Sequence, residues 1–255
     1  MKNIFKVFFF IFFLINFNNP SQAEEYPKNY YKGKFYESVK DNFLVATEKL
    51  KGTRFSETVI VMFENDENGA WGLVVNKPIG LTSINKLIEI PKSFTEEQKK
   101  LTKMKIPIFW GGPVEENRIF ILHSNEYISE TTIKYRNVSI SSDYKTLLKI
   151  ADNKGPKNKI IILGISSWAP GQLEGEIEKY SWMLSEIKNE LIFEIENQEK
   201  WKKAKENIFN TLDDALMVIL ASEFTLEESG KSAIDLWKTL VERGINTKIL
   251  GTLRF

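Results

Sequence analysis

The alternation of apolar and polar residues predicts strands over much of the middle of the chain. Asn42–Ala46, Thr58–Phe63 and Trp71–Asn76 are short runs rich in β-branched and other apolar residues, which is typical of strands. Asn68-Gly69, between the second and third runs, is the dipeptide most typical of a tight hairpin turn. The pattern therefore predicts a β-hairpin over residues 58–76.

Later runs extend the pattern to a domain of mixed strands and helices. Further strands are predicted at residues 106–110, 118–123, 133–140 and 159–163. Thr82 is suited to cap one helix, and Asp143 or Ser142 to cap another. Helices are also predicted at residues 198–209, 211–221 and 231–243, with residues 93–104 as a surface helix or an insertion. Residues 181–193 fit either a strand or a short helix.

The stretch Gly164–Glu178 connects the strand at residues 159–163 to an amphipathic segment. Gly164, Pro170 and Gly171 interrupt the regular pattern, and Trp168 lies between them. We therefore predict a strand-to-helix turn. Such a turn exposes backbone N–H groups at a helix N-terminus, which favours anions, or it simply joins two elements. The sequence leaves both interpretations open.

The first 23 residues have the pattern of a secretory signal peptide. Lys2 and Lys6 accompany an almost continuous apolar run, Val7–Phe17, that is too short for a comfortable membrane span. Ser21-Gln22-Ala23 provides the small residues of a cleavage site. We expect cleavage after Ala23 and a periplasmic location. The alternative is an uncleaved N-terminal membrane anchor.

Composition narrows the possible chemistry. The 255 residues carry a formal net charge of +1, and removing Lys2 and Lys6 leaves +1 − 2 = −1. A nearly neutral chain gives no case for a nucleic-acid partner. The absence of cysteine excludes disulfides, thiol nucleophiles and thiolate zinc sites. Because His123 is the only histidine, a multi-histidine metal site is also excluded. We expect no metal and no cofactor.

Three stretches stand in an order and spacing that resemble the AlgH (YqgE) family of bacterial proteins. They are Gly72–Pro78, Gly111–Val114 with the strand that ends at His123, and Gly164–Glu178. The resemblance covers roughly residues 42–209. It implies an α+β domain with a mixed, strongly curved sheet flanked by helices. It implies no reaction, because members of the family have none assigned.

The chain departs from this family in three ways. The usual Gly-Tyr-x-Gly-Trp pattern is here Gly164-Ile165-Ser166-Ser167-Trp168. Family members usually lack a signal peptide and act in the cytoplasm, and they usually end near the counterpart of Phe209. We therefore divide the chain into a signal peptide (1–23), an N-terminal extension (24–41), a single AlgH-like domain (42–209) and an added C-terminal helical tail (210–255).

The family motifs and the strand ends define a candidate binding groove. Lys77 is a candidate contact for an anion, and Gly111 with Gly112 could cradle an oxyanion, although they lack the Lys and Ser/Thr of a phosphate loop. Trp168 and Trp110 either line the groove or pack in the core. The predicted groove residues are Asn76, Lys77, Gly111, Gly112, His123, Ser166, Trp168, Gly171, Gln172 and Glu174.

His123 is the one candidate catalytic residue. A Ser–His–carboxylate arrangement can be written with Ser166 or Ser167 as the nucleophile and Glu174 or Glu176 as the acid. The alternative is a hydrogen-bonded structural histidine. Glutamates near the start of a helix can bind a metal or simply stabilise the helix dipole, and the second role is the commoner.

These observations favour an exported, non-enzymatic domain that binds or regulates through the groove at the strand ends. Its partner would be an unknown protein or a small anionic ligand. Contact with a membrane would occur only through an uncleaved N-terminal segment. Two other functions stay open: a hydrolase with His123 as its general base, and an interaction module that works through residues 210–255.

Overall fold

The computed structural model describes residues 32–208. The predicted signal peptide, most of the N-terminal extension and the predicted tail helices lie outside this range. Residues 33–208 belong to one compact unit. Among the described helices, none combines the length and the apolar content that a bilayer span requires.

The described residues form one ten-stranded sheet with short helices packed on it. The strands are β1 (Asn42–Ala46), β2 (Val59–Asp66), β3 (Gly69–Val74), β4 (Pro78–Ser83), β5 (Lys105–Trp110), β6 (Val114–His123), β7 (Ile133–Lys134), β8 (Ser139–Ser141), β9 (Lys159–Trp168) and β10 (Trp182–Glu186). The helices are α1 (Tyr36–Val39), α2 (Glu96–Leu101), α3 (Tyr144–Ala151), α4 (Gln172–Glu178), α5 (Asn189–Phe193) and α6 at residues 200–208.

The sheet is mixed and strongly curved, which confirms the predicted fold class. Its main path runs β10-β1-β2-β3-β9-β6-β8-β7, and β4 and β5 branch from β9. Every described pair is antiparallel except β5 with β9. The predicted hairpin is the β2–β3 pair, which closes with Asp66 opposite Gly69.

Strand β9 organises the sheet because it has three neighbours. Its first half pairs with β5 and β6, and its last residues, Ser166–Trp168, pair with β3. Gly164 has φ 77°, which bends the strand between these two parts. Both faces of the first half are covered, and this explains its continuous apolar run.

Apolar side chains cover both faces of the sheet. On one face, α5 and α6 contribute Leu191, Ile192 and Ala204 to the largest core. On the other, Leu173 of α4 packs with the tryptophans, and Leu147 of α3 packs in a separate cluster. The helices are short because each only has to cover part of one face of the sheet.

Two local predictions were wrong. Thr82 does not cap an α-helix: residues 78–83 form β4 against β5, and only a 3-10 turn follows at Ile84–Lys86. The strand predicted at residues 159–163 extends to Trp168, so the turn begins later than Gly164. Both errors have the same cause, because pairing with a distant strand overrides the local pattern.

Candidate functional site

The predicted strand-to-helix turn exists at residues 169–171 and is closed by its own atoms. Gly171, with φ 79°, precedes α4. Ala169 N–H donates to Gln172 Oε1 at 3.1 Å, and Gln172 N–H donates to Ala169 O at 3.0 Å. These two N–H groups are already bonded, and α4 has only seven residues. The turn therefore has fewer free N–H groups for an anion than the sequence indicated.

Glu176 joins the turn to a neighbouring strand. Its Oε2 accepts the indole N–H of Trp168 at 3.0 Å and that of Trp182 at 2.8 Å. Its Oε1 accepts from Gln172 Nε2 at 3.0 Å. The two indole rings meet edge to face at 6.0 Å. Glu176 therefore ties β9, α4 and β10 together, which is a structural role rather than one in a catalytic triad.

Glu174 is buried beneath α4 with an unsatisfied carboxyl oxygen. Its exposed fraction is 1%, and its Oε1 has no hydrogen-bond partner. Burial raises the pKa of Glu174, and its own backbone N–H and the nearby Asn65 side chain oppose this rise. Asn65 is buried as well, and neither of its amide atoms reaches hydrogen-bond geometry with a partner. Glu174 lies in the first turn of α4, as predicted, but its carboxyl group is buried.

Trp110 lies in the same apolar layer and also has an unsatisfied group. Its exposed fraction is 8%, and its indole N–H has no acceptor among the described residues. The guanidinium carbon of Arg54 lies 4.5 Å from the Trp110 ring centroid, and the Phe55 ring lies at 5.3 Å. Phe55 also contacts Trp182 at 5.7 Å. These two loop residues cover Trp110.

The tryptophan face is our name for this layer on the α4 side of the sheet. Its members are Trp110, Trp168, Trp182, Asn65, Glu174 and Glu176. Every unpartnered buried side-chain polar atom found in residues 32–208 belongs to three of them, Asn65, Trp110 and Glu174. Sequence reasoning found Trp168 and Glu174, but it missed Asn65 and Trp182, since only the sheet register brings them here.

Replacing Glu174 with glutamine should stabilise the protein near neutral pH. Because the folded pKa of Glu174 lies above its unfolded value, the folded state keeps a proton that the unfolded state releases. The stability that protonated Glu174 contributes is present below the unfolded pKa and is lost as the pH rises through the folded pKa. Urea unfolding should show Glu174→Gln to be more stable than the wild type by about 1 kcal/mol at neutral pH, with a smaller gain in acid.

Glu176→Gln is the matched control, two residues away on α4. It places an NH₂ group against bonded donors and should lower stability by about 1–2 kcal/mol. Equal effects of the two substitutions would contradict the conclusion that the Glu174 carboxyl is buried without a partner while that of Glu176 is bonded.

The side chains of Asn76 and Lys77, just after β3, hydrogen-bond to backbone atoms of residues 56–59. Asn76 Oδ1 accepts Val59 N–H at 2.9 Å, and Asn76 Nδ2 donates to Glu57 O at 2.8 Å. Lys77 Nζ donates to Ser56 O at 2.7 Å. These contacts hold the loop that carries Arg54 and Phe55. Asn76 and Lys77 therefore support the tryptophan face indirectly, through this loop.

Gly111, Gly112 and Ser166 form a tight contact between the β5–β6 connection and β9. Gly111 N–H donates to Leu163 O at 2.7 Å, and Ser166 Oγ donates to Gly111 O at 3.0 Å. A Cβ on Gly112 would lie 2.2 Å from the Ile165 carbonyl. The glycines therefore admit a neighbouring backbone, where the sequence had indicated a ligand oxyanion.

His123 lies far from the other predicted groove residues. It pairs with Lys159 at the start of β9, whereas Ser166 lies seven residues further along. At about 3.3 Å per residue the path along β9 between these two positions is about 23 Å, with the bend at Gly164 inside it. The single groove that joins His123 to the turn is therefore not formed, and neither is the arrangement with Ser166 as nucleophile.

His123 is instead part of a buried hydroxyl network. It is fully buried, with Nδ1 2.8 Å from Ser124 O and Nε2 2.9 Å from Ser141 Oγ. Since a carbonyl only accepts, Nδ1 carries the proton and Ser141 donates to Nε2. Burial lowers the pKa of His123 and outweighs the opposing effect of the Ser124 carbonyl. The histidine is therefore neutral and fully bonded.

The network continues from Ser141 to a carboxylate. Thr132 Oγ1 lies 2.8 Å from Ser141 Oγ, while Ser129 and Thr131 donate to Asp143 at 2.7 and 2.6 Å. Burial opposes ionisation of Asp143, but these hydroxyls and the Thr146 N–H together lower its pKa. The sequence showed Asp143 only as a helix cap. The network fastens the loop after β6 to the start of α3.

No cluster of three or more His, Cys, Asp or Glu side chains suited to a metal ion occurs within residues 32–208. The fold and the site together define an α+β domain organised by one strand–turn–helix signature on a curved mixed sheet.

Comparison with known proteins places this domain in a family. The model of the AlgH-like family (DUF179) matches residues 43–212, and the chain belongs to this family. A UPF0301 protein of Shewanella oneidensis is 32% identical over 173 residues, which is 68% of this chain and 92% of that protein. A UPF0301 protein of Proteus mirabilis is 35% identical over 169 residues, covering 66% of this chain and 90% of that protein.

A solved structure supports the same assignment. The solution structure of the AlgH protein from Pseudomonas aeruginosa superposes with a TM-score of 0.56 at 26% identity. The match covers 76% of this chain and 93% of that one. The resemblance inferred from the three sequence stretches is confirmed, and the function of the family is uncharacterised.

Proposed function

We propose that the protein is a non-enzymatic binding domain, exported to the periplasm, that recognises a protein partner or a small anionic ligand on the tryptophan face. One observation carries the proposal: the unpartnered buried polar atoms of Asn65, Trp110 and Glu174 are concentrated there. An unmet buried donor or acceptor costs about 1–3 kcal/mol. A partner group that bonds to such atoms recovers this cost, so binding sites retain them.

The covering residues give the site a route of access. Phe55 is only partly buried and Arg54 is exposed, so a partner reaches both before it reaches Trp110. Arg54 also pairs with Glu116 at 3.0 Å, and an incoming acidic group would compete for it. Exposed aromatic and arginine side chains are enriched at binding surfaces.

The state of His123 supports binding over catalysis. A general base must reach a proton on its substrate, whereas both His123 nitrogens bond inside a fully buried network. Export rests on the N-terminal pattern alone, and mass spectrometry of the purified protein tests it. We expect a mature chain that begins at Glu24, and a retained Met1 would contradict cleavage.

Trp110→Phe tests the tryptophan face, because it removes the unpartnered N–H and keeps an aromatic ring. Immobilised wild type and variants would be compared for capture of periplasmic proteins and of labelled anionic metabolites. We expect Trp110→Phe to fold and to lose about ten-fold or more of the specific capture. Trp71→Phe, on the other face of the sheet, is the matched control and should capture normally.

Equal capture by the wild type and both variants would contradict the proposed site. Capture that only a deletion of residues 210–255 removes would instead favour the tail as the working surface.

A further inference from the structure

Strand β4 has an uncovered apolar edge. Among the described strands it pairs with β5 alone, and its first four residues are exposed. Ile79 and Leu81 have exposed fractions of 54% and 67%, and none of the six residues of β4 is charged. Natural sheet edges are usually protected by charges, prolines or bulges, or covered by other elements, and β4 has Pro78 and a register shift between Pro78 and Gly80 at its start. The rest of the edge, around Leu81, has no such protection and is therefore a candidate for pairing with another strand.

The backbone of β4 is oriented for such pairing. Leu81 lies opposite Pro107 in β5, and Pro107 has no N–H to donate. In an antiparallel pair alternate residues bond to the neighbour, so the bonded positions are Gly80 and Thr82, opposite Ile108 and Ile106. Leu81 therefore directs its N–H and C=O away from β5, towards the open edge.

The charged residues nearest to β4 in the chain and in the strand register are lysines. Lys77 precedes β4, Lys86 follows it, and Lys105 pairs with Ser83. The nearest acidic residue along the chain, Glu89, lies three residues beyond Lys86. A segment that alternates apolar side chains with carboxylates would match both the apolar residues and this charge.

We propose that the β4 edge binds an extended partner segment that alternates apolar and acidic residues, which adds to the sheet as a further strand. The inference rests on the proposed binding function, but it uses a surface separate from the tryptophan face. Main-chain hydrogen bonds to Leu81 provide affinity, the Leu81 side chain contacts the apolar side chains of the partner, and the lysines select the acidic ones.

A second copy of the chain fits this edge less well. Antiparallel pairing of two β4 strands about Leu81 would place Lys77 of each copy opposite Asn85 of the other, next to Lys86. Like charges opposed across a strand pair are destabilising. The charge pattern thus favours an acidic partner over self-association.

The test uses the purified full-length chain and two blocked, fluorescent eight-residue peptides, one alternating Glu with Val and one alternating Lys with Val. Fluorescence anisotropy should show binding of the Glu–Val peptide, with the Lys–Val peptide about ten-fold weaker or more. Leu81→Glu should weaken the Glu–Val peptide about ten-fold or more. Ile133→Glu, at a similarly exposed position on edge strand β7, should leave affinity within about two-fold.

Circular dichroism must show both variants folded, as expected for exposed positions. No binding of either peptide at about 1 mM overturns the inference. So does equal weakening by both substitutions, or a concentration-dependent dimer that Leu81→Glu abolishes. Binding seen only after residues 210–255 are deleted would overturn it in favour of the chain's own tail. Trp110→Phe separates the two proposals, because it should leave peptide affinity unchanged whether or not the tryptophan face binds.

Discussion

Replacing Gly112 with alanine should leave little folded protein. Gly112 has φ 148°, and an added Cβ would lie 2.2 Å from the Ile165 carbonyl and 2.3 Å from Ser166 N. These atoms belong to the backbone of β9, so they cannot move without disturbing its pairing. We expect a loss of about 4 kcal/mol or more, which is a large part of the about 5–15 kcal/mol that stabilises an ordinary domain. Urea unfolding monitored by circular dichroism measures it.

Gly80→Ala is the matched control for this result. Gly80 also has a positive φ of 137°, but no atom lies within 4 Å of its added Cβ. Only the backbone conformation is then strained, and the expected loss is about 1 kcal/mol. Similar losses for the two variants would show that conformation alone requires glycine, and would contradict the close-contact explanation of the Gly111-Gly112 motif.

The stability of the protein should rise between neutral pH and about pH 10 because of Lys200. This lysine has an exposed fraction of 2%, and its Nζ donates to Ile192 O at 2.7 Å and to Val75 O at 3.1 Å. Burial lowers the pKa of Lys200 to about 8, against a weaker opposing effect of Glu196. The lysine joins the start of α6 to the end of β3. Its burial also removes water from the charged ammonium group.

The sign follows from proton counting. Between a folded pKa of about 8 and an unfolded pKa of about 10.4, the unfolded chain binds more protons. The free energy of unfolding therefore increases with pH across this window, by about 2 kcal/mol up to pH 10. Measurements stop there because burial raises the pKa of Tyr135 to about 12, which reverses the trend in stronger base.

Lys200→Met isolates this contribution. Urea unfolding at a series of pH values should show the rise in the wild type and in exposed Lys103→Met, and a much smaller rise in Lys200→Met. The comparison cancels the other titrating groups, since all three proteins share them. A full rise in Lys200→Met would assign the effect to other residues.

The signature stretch departs from the family pattern at two positions, and both fit the strand. Ile165, where the family pattern has tyrosine, is buried in the largest core. Ser167, where the pattern has glycine, lies in β9 opposite Trp71. The departures from the family pattern are thus accommodated within a regular strand. The part of the signature that remains, from Trp168 to Glu176, is the part that builds the tryptophan face.

Sequence patterns were sufficient for elements with a strong local signal. The β2–β3 hairpin followed from two β-branched runs around Asn68-Gly69, and the cap of α3 was predicted as Asp143 or Ser142, of which the structure has Asp143. The family followed from three motifs in order. These features depend on neighbouring residues, or on glycines that only a close backbone contact requires, so they are visible without the fold.

Only the tertiary structure decided which of the candidate residues lie together. His123 and the turn both lie at strand ends in the sequence. The strand register places His123 at the start of β9 and the turn after its end. Glu176 meets Trp182, and Asn65 faces Glu174, because β10 and β2 reach the same layer as α4. Burial and strand register arise from the whole sheet, and no local pattern carries them. The amino-acid sequence therefore determined the elements and the family, while the packing of distant strands determined the site.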